Sequence, residues 1–253
     1  MKPPDSGPSD GRSDTGELLF ELPGDGRALF TSRAEGNMSS VGGLRCQNGA
    51  DARARTCAQH GLKGLARGYQ VHGTTVLSIR DEAGLRAHGP KAARPAVEAD
   101  GHAIRVPAIG AMVLAADCLP IAIGSEHGVA VVHAGWRGLA AGVIEEGVRA
   151  LRGLGEDPAG NGEIAAIVGP GAGSCCYEVG EEVHEAFGGV HRDGRRIDLK
   201  AIARERLTAA GVGDVRDVGL CTICDERFFS FRREASAAGR QAGIAWLTGQ
   251  SRG

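Results

Sequence analysis

The sequence predicts a mixed-sheet α/β (α+β) fold in a single domain. Short apolar runs typical of strands recur along the chain, and stretches with a helical spacing of apolar residues lie between and after them. No internal repeat and no linker divides the chain beyond its N-terminal tail. We therefore expect a disordered tail over residues 1–16, which is rich in Pro, Gly, Ser and Asp, and one domain over residues 17–253.

Apolar runs predict five strands, at residues 28–31, 76–79, 111–115, 129–132 and 164–168. Pro120 is expected to interrupt strand pairing where it stands, because proline has no N–H to donate.

Three stretches predict helices. Apolar residues recur every three or four positions over residues 139–154. Asp198 is a suitable N-cap for a helix over residues 199–210, which Gly211 ends. A further helix is expected over residues 179–187.

Composition excludes several classes of partner. The net charge is −2 and aromatic residues make up 4% of the chain, so neither a charge field nor a base-stacking surface for nucleic acid is expected. No apolar run approaches the roughly 20 residues that cross a bilayer, and the N-terminus lacks the apolar segment of a signal peptide. The odd number of cysteines, seven, also disfavours a disulfide framework, so we expect a cytoplasmic protein without a membrane partner.

Three predicted strand ends carry residues that bind metals. His72 lies in GYQVHGTTV, Asp117 and Cys118 lie in MVLAADCLPIAI, and His133 lies in GVAVVHAGWRG. If these ends meet, two imidazoles and one thiolate offer Zn²⁺ three ligands and leave a fourth position open, as in catalytic zinc sites. Taken singly, each histidine is more typical of a hydrogen-bonded core residue than of a metal ligand, and the cysteine is more typical of a small buried residue.

The remaining cysteines and glycines leave alternatives open. CTIC at 221–224 is a single CxxC, and Cys175-Cys176 does not supply a second pair at suitable spacing, so Cys221 and Cys224 are expected to be packed thiols at a strand end. The segment GPGAGSCCYEVG at 169–180 fits a backbone cradle for an anion or ribose and fits a tight turn equally well.

Other polar residues are expected at the surface. Arg232 and Arg233 in FFSFRRE are interpreted as exposed or ion-paired residues at a strand end. Six histidines in polar or turn-rich contexts are interpreted in the same way: His60, His88, His102, His127, His184 and His191.

Taken together, QVHG, ADCLP, HAGWRG, GPGAGSCCYEVG, SFRRE and the GR at 239–240 resemble the laccase-domain family, also labelled multicopper polyphenol oxidase. The likeness covers about residues 28–248. It implies an α/β/β/α sandwich and the activity of its members as zinc-dependent purine nucleoside phosphorylases with adenosine deaminase activity. Adenosine, inosine, guanosine or methylthioadenosine would be the nucleoside substrate, phosphate the second substrate, and purine salvage the setting.

The resemblance also implies roles for single residues. His72, Cys118 and His133 would hold the metal, and Gly135 and Gly138 would let the backbone turn closely around it. The other implied roles are substrate or phosphate binding for Arg137 (near a helix N-terminus), Gln70 and Asn37, and catalysis for Asp117 and Arg53.

The sequence departs from the family pattern at two of these positions. Ala52 precedes Arg53 where the family has asparagine, and the segment after Asn37 lacks the family's His and Asp. These departures bear on substrate preference more than on metal binding. The oligomeric state is left open.

Three alternatives to phosphorolysis remain. A copper-dependent polyphenol oxidase would need many histidines, mostly in His-x-His pairs, and the chain has eight histidines and no such pair; Cu²⁺ is still an alternative occupant of the three-ligand site. A cysteine hydrolase would use Cys118 as nucleophile with His133 or His72 as its base. A third alternative is a protein that binds a nucleotide or a partner without turnover.

Overall fold

The structure is a computed structural model that describes residues 17–40, 49–81, 97–155 and 162–249. The predicted tail at 1–16 and the surface prediction for His88 lie outside these residues. The described residues form two mixed β-sheets with helices on the outer faces, in one compact unit.

The strands are numbered in chain order. They are β1 (Leu18–Glu21), β2 (Gly26–Phe30), β3 (Gly64–Ala66), β4 (Val76–Ile79), β5 (Gly101–Ile104), β6 (Ile109–Ala115), β7 (Leu119–Ser125), β8 (Gly128–Ala134), β9 (Ala165–Val168), β10 (Arg192–Asp193), β11 (Arg196–Ile197), β12 (Asp214–Asp217) and β13 (Gln241–Leu247).

The helices follow the same convention. They are α1 (Gly49–Gln59), α2 (Trp136–Ala141), α3 (Val143–Arg152), α4 (Glu181–Ala186), α5 (Leu199–Ala209) and α6 (Phe231–Glu234), the last of which continues into a 3-10 turn (Ala235–Ala237).

Both large sheets mix parallel and antiparallel pairs. One has the order β1-β2-β13-β6-β3, with β3 parallel to β6 and the other pairs antiparallel. The other has the order β12-β9-β7-β8-β5-β4, with parallel pairs at its two edges and an antiparallel centre. Strands β10 and β11 form a separate ribbon.

Three apolar cores separate four layers. The inward faces of the two sheets pack on each other through residues such as Phe30 and Val131. The outer face of the six-stranded sheet is covered by α3 and α5, and the outer face of the five-stranded sheet is covered by α1. This is the α/β/β/α sandwich that the resemblance implies.

Local sequence signals located most elements correctly. All five predicted strands are present within two residues at each end. Asp198 is the predicted N-cap of α5, where its carboxylate accepts from the N–H of Ala201, and Gly211 follows the helix with a φ of 86°. The helix predicted over residues 179–187 is the shorter α4.

Two predictions about elements were wrong. The helix predicted over 139–154 is divided into α2 and α3, because Gly142 adopts a left-handed conformation with a φ of 101° and ends the first helix. Pro120 does not interrupt pairing but is the second residue of the central strand β7, opposite His133. Its carbonyl accepts from the N–H of Gly169, so it still contributes an acceptor to the sheet.

Predictions for several surface residues were also wrong. His102 lies within β5 and is fully buried, and His184 on α4 is 2% exposed, because both side chains point into layers that the chain order does not reveal. Arg232 and Arg233 are exposed, as predicted, but they lie on α6 rather than at the end of a strand. No helix within the described ranges has the length and apolar character that a membrane crossing requires.

Candidate metal centre and adjoining cavity

The pairing of β7 with β8 brings two of the predicted ligands together. Leu119 lies opposite Ala134 and Pro120 lies opposite His133, so Cys118, just before β7, is next to the turn that follows β8. His72 reaches the same point from the loop between β3 and β4, where it adopts a φ of 60°. A non-glycine residue held in this left-handed region is often part of a functional site.

The three side chains form a candidate metal site. One ligand atom from each of His72, Cys118 and His133 lies within 4.8 Å of the others, and His72 Nε2 is 3.9 Å from Cys118 Sγ. The centroids of the two imidazole rings are 4.8 Å apart. Two nitrogens and one thiolate sulfur at these separations suit Zn²⁺, whose bonds to nitrogen and sulfur are about 2.0 to 2.3 Å long.

Gly135 makes the close approach feasible. A Cβ at this position would lie 2.7 Å from His72 Cδ2 and 3.0 Å from Cys118 Sγ. At Gly138, one helical turn later, a Cβ would lie 2.8 Å from the carbonyl oxygen of Gly73. Both glycines therefore allow the loop that carries His72 to pack against the start of α2, as the sequence led us to expect.

Asp100, which sequence reasoning missed, organises the site. Its Oδ1 lies 2.8 Å from His133 Nδ1 and accepts from the N–H of His72, while its Oδ2 accepts from the N–H groups of Val71 and Gly73. This carboxylate thus fixes the orientation of one ligand and the loop of another, as outer carboxylates do in metal sites. No sequence signal marked Asp100, because the pairing of β5 with β8 that brings it to His133 is a long-range contact.

The charges of these groups depend on one another. Burial acts to raise the pKa of Asp100, but its bonds to His133 and to the N–H groups of Gly73 and Val71 outweigh burial and hold the pKa below its usual range. Burial lowers the pKa of His133, yet Cys118 and Asp100 together raise it to about 9. Burial raises the pKa of Cys118, whereas His133 and His72 lower it to about 6, so a thiolate is available at neutral pH.

A cavity of about 430 Å³ opens beside the three ligands, within the size range of small-molecule sites. Polar groups line one side, including Ser39 and the carboxylate of Asp117. Three aromatic rings also line the cavity, those of Tyr69, Tyr177 and Phe231. Phe231 is 51% exposed and lies at the mouth.

Three arginines line this cavity, and sequence reasoning selected none of them as a substrate ligand. Arg67 is 6% exposed and its pKa is lowered by burial, so its charge is only partly hydrated. Arg232 stacks over the ring of Tyr177 at 5.0 Å, and Arg240 donates to the carbonyls of Ala238 and of Gly239. Only the RR and GR dipeptides near the C-terminus hinted at two of them.

Glu234 anchors the segment that carries Phe231 and Arg232. Its Oε1 accepts from Arg33, from Arg233 and from the N–H of Ser230. Burial raises the pKa of Glu234, but the bonds from Arg33 and Ser230 bring it below its usual range.

The structure places one of the two predicted catalytic residues in the cavity lining and the other outside it, and their catalytic roles stay predictions. Asp117 lines the cavity with a φ of 86°, and its two carboxylate oxygens accept from the hydroxyl of Thr222 and the N–H of Arg232. Arg53 lies behind the wall, where it donates to the carbonyl of Met38 and the hydroxyl of Ser40. Burial lowers the pKa of Arg53 to about 10.

The predicted substrate ligands are similarly engaged with the protein. Gln70 lines the cavity, but both polar atoms of its amide bond to the backbone of Leu114. Asn37 accepts from the N–H groups of Ser39 and Arg240. Arg137 is the second residue of α2, exposed, with its guanidinium 4.3 Å from the Trp136 ring centroid; among the described residues it is not part of the cavity lining. Their substrate roles stay predictions.

The glycine-rich segment forms a turn. The N–H groups of Gly171, Ala172 and Gly173 bond to Leu220, Asp117 and Cys221, and those of Cys176 and Tyr177 bond back to Gly173. Because these donors have partners within the protein, the tight turn is the alternative that the structure favours over an anion cradle.

Comparisons with known proteins agree with this architecture. The sequence profile of the family described as "Multi-copper polyphenol oxidoreductase laccase" matches residues 30–248. A protein of Xylella fastidiosa (strain Temecula1) named purine nucleoside phosphorylase is 37% identical over 90% of each chain. Escherichia coli (strain K12) has a purine nucleoside phosphorylase YfiH that is 37% identical over 70% of this chain and 72% of its own.

Solved structures show the same fold. A crystal structure of a Neisseria meningitidis protein of the family DUF152 matches 92% of this chain and 99% of its own with a TM-score of 0.76 and 29% identity. The crystal structure of a Bacillus licheniformis hypothetical protein, YfiH, matches 88% of this chain and 92% of its own with a TM-score of 0.73 and 25% identity.

Proposed function

We propose that the chain, which belongs to the multi-copper polyphenol oxidoreductase laccase family, is a zinc-dependent purine nucleoside phosphorylase. The names of the Xylella fastidiosa and Escherichia coli relatives, each 37% identical, support this proposal. The substrates are purine nucleosides such as adenosine, inosine, guanosine and methylthioadenosine, together with phosphate. Deamination of adenosine is a second activity of the same site. The observation that carries the proposal is the His72–Cys118–His133 group at the floor of a cavity lined by arginines and aromatic rings.

The residues present fit zinc. Two imidazoles and a thiolate make a borderline-soft donor set, and Asp100 holds Nδ1 of His133, which leaves Nε2 for the metal. A bound Zn²⁺ would supply a Lewis acid for the attacking oxygen of phosphate or of water.

Phosphorolysis needs charge neutralisation and a base-binding surface. Arg67, Arg232 and Arg240 line the cavity and offer guanidinium groups for the phosphate oxygens. A phosphate oxygen forms a bond to C1′ of the ribose as the bond from C1′ to the purine nitrogen breaks. The purine leaves with the electron pair and takes up one proton, and ribose 1-phosphate is the second product.

Aromatic rings and Asp117 would position the nucleoside. Phe231 and Tyr69 are exposed at the mouth and offer flat apolar faces to the purine. Asp117 is a positioning residue, because its carboxylate holds the N–H of Arg232 and so fixes the start of α6 beside the cavity.

A product assay on metal-quantified protein tests the proposal. Inosine and adenosine are incubated with and without phosphate, using wild type, Cys118→Ala, and Cys57→Ala as the matched control, since Cys57 on α1 lies outside the site. We expect phosphate-dependent release of base and ribose 1-phosphate, lost in Cys118→Ala and after chelation, and restored by zinc in chelated wild type. A folded, zinc-loaded protein that releases neither base nor ammonia would refute it.

Two further measurements on the same proteins separate the alternatives. A cysteine hydrolase is favoured by the low pKa of Cys118, and it predicts that alkylation abolishes activity while chelation does not. A copper oxidase predicts oxidation of phenols that follows the copper content of the sample.

A further inference from the structure

A second group of metal-binding side chains lies outside the site described above. It consists of Cys175 and Cys176, in the turn between β9 and α4, and Cys221 and Cys224, in the loop after β12. The sequence led us to expect packed thiols at Cys221 and Cys224 and no suitable geometry at Cys175-Cys176. The second expectation was wrong, because the structure brings the two pairs together, and Cys224 is exposed rather than packed. All four sulfur atoms lie within 4.8 Å of one another.

The sulfur separations are close to those around a single ion. Cys176 Sγ is 3.0 Å from Cys224 Sγ and 3.5 Å from Cys221 Sγ, and Cys175 Sγ is 3.4 Å from Cys224 Sγ. A tetrahedral ion with Zn–S bonds of about 2.3 Å places its sulfurs about 3.8 Å apart. An iron–sulfur cluster inserts iron and sulfide between the thiolates and would need wider spacing, so the group has room for one ion.

The backbone holds these cysteines in place. Gly171 forms a parallel bridge with Cys221, and the N–H of Gly173 donates to Cys221 Sγ at 3.2 Å. A Cβ on Gly173 would lie 3.1 Å from Cys221 Cβ and 3.3 Å from Cys175 Sγ, so a glycine is needed for the two loops to approach this closely.

Chemistry favours a cation at this point. Four cysteine sulfurs from two separate loops converge on one point, and this is the donor set that holds Zn²⁺ in many proteins. A closed set of four cysteines is typical of structural zinc sites, in contrast to the open three-ligand arrangement of His72, Cys118 and His133. The two groups therefore differ in ligand type and in ligand number.

We propose that Cys175, Cys176, Cys221 and Cys224 form a second metal site, which binds one Zn²⁺ and has a structural role. It joins two loops that form one wall of the cavity. Tyr177 follows Cys176 directly and lines that wall, and Thr222, between the other two ligands, donates to the carboxylate of Asp117. The inference does not depend on which reaction the cavity supports.

Metal counting tests the proposal. The full chain is purified under reducing conditions and dialysed, and its zinc and iron contents are measured by mass spectrometry. Four proteins are compared: wild type, Cys175→Ser/Cys224→Ser, Cys118→Ala, and Cys57→Ser as the control for loss of a cysteine elsewhere. We expect about two zinc ions per chain in wild type and in the control, and about one in each of the other two.

Cobalt spectroscopy supplies a readout that does not require the double variant to fold. In Cys118→Ala loaded with Co²⁺, we expect the intense thiolate-to-cobalt absorption of a four-sulfur tetrahedral site. Its absence would overturn the proposal. So would equal zinc contents in wild type and a folded Cys175→Ser/Cys224→Ser variant, and a cysteine-dependent iron content without zinc would overturn the assignment of the metal.

Discussion

Replacing Asp100 with Asn removes one charge and changes little in volume, so it isolates what this buried carboxylate does. In wild type, Oδ1 faces His133 Nδ1 and the N–H of His72, and Oδ2 faces the N–H groups of Val71 and Gly73. An amide has one oxygen only. Whichever way it turns, its NH₂ group points at one of these two donor pairs.

The expected loss follows from that mismatch. Leaving a buried donor without an acceptor costs about 1–3 kcal/mol of folding free energy. Loss of an outer carboxylate lowers metal affinity roughly 10- to 100-fold, which corresponds to about 1.4–2.7 kcal/mol. We therefore expect Asp100→Asn to weaken zinc binding at the three-ligand site by that factor and to lower the free energy of unfolding of the metal-free protein.

The assay is a zinc titration in competition with a chromophoric chelator. It is performed in the Cys175→Ser/Cys224→Ser background, so that only the three-ligand site is titrated. Asp198→Ala is the matched control, because loss of the N-cap of α5 costs about 1 kcal/mol of stability at a position away from the ligands. A folded Asp100→Asn protein that binds zinc within about twofold of its background would refute the outer-carboxylate role.

Three further substitutions test the site. Gly135→Ala introduces a Cβ 2.7 Å from His72, so overpacking should cost about 1–3 kcal/mol and weaken zinc binding. Gly213→Ala should do neither, because the nearest atom to its Cβ is the carbonyl oxygen of Ile164 at 3.8 Å, an ordinary van der Waals contact. Phe231→Ala should raise the dissociation constant for nucleosides about 5- to 150-fold if this half-exposed ring stacks on the purine, with an unchanged melting temperature; unchanged nucleoside binding by calorimetry would contradict that role. Glu234→Gln should lower the free energy of unfolding by about 1–2 kcal/mol at pH 7. Because the folded-state pKa of Glu234 is depressed, that difference should shrink as the pH falls below about 4.3, and a difference in urea denaturation that is constant from pH 7 to 3 would argue against it.

Side-chain spacing and helix caps were sufficient to predict the strands and helices that depend on neighbouring residues alone. The strand at residues 76–79 and the helix capped by Asp198 were predicted at or near their observed bounds, because side-chain spacing and capping act over a few residues. Where a local rule failed, a long-range contact prevailed. Pro120 lies inside β7, where its carbonyl accepts a hydrogen bond from the N–H of Gly169, the residue that follows β9. A pattern of neighbouring residues does not predict a contact between positions this far apart in the chain.

Apolar spacing was enough to predict the fold class, and the motifs identified the three residues that the structure brings together, His72, Cys118 and His133. Only the tertiary structure showed that Asp100 bonds to His133 and that Arg67 lines the cavity. Those contacts join residues 33 or more positions apart, or depend on which layer covers a side chain. They are set by sheet order and register, which a linear pattern of apolar and polar residues does not encode.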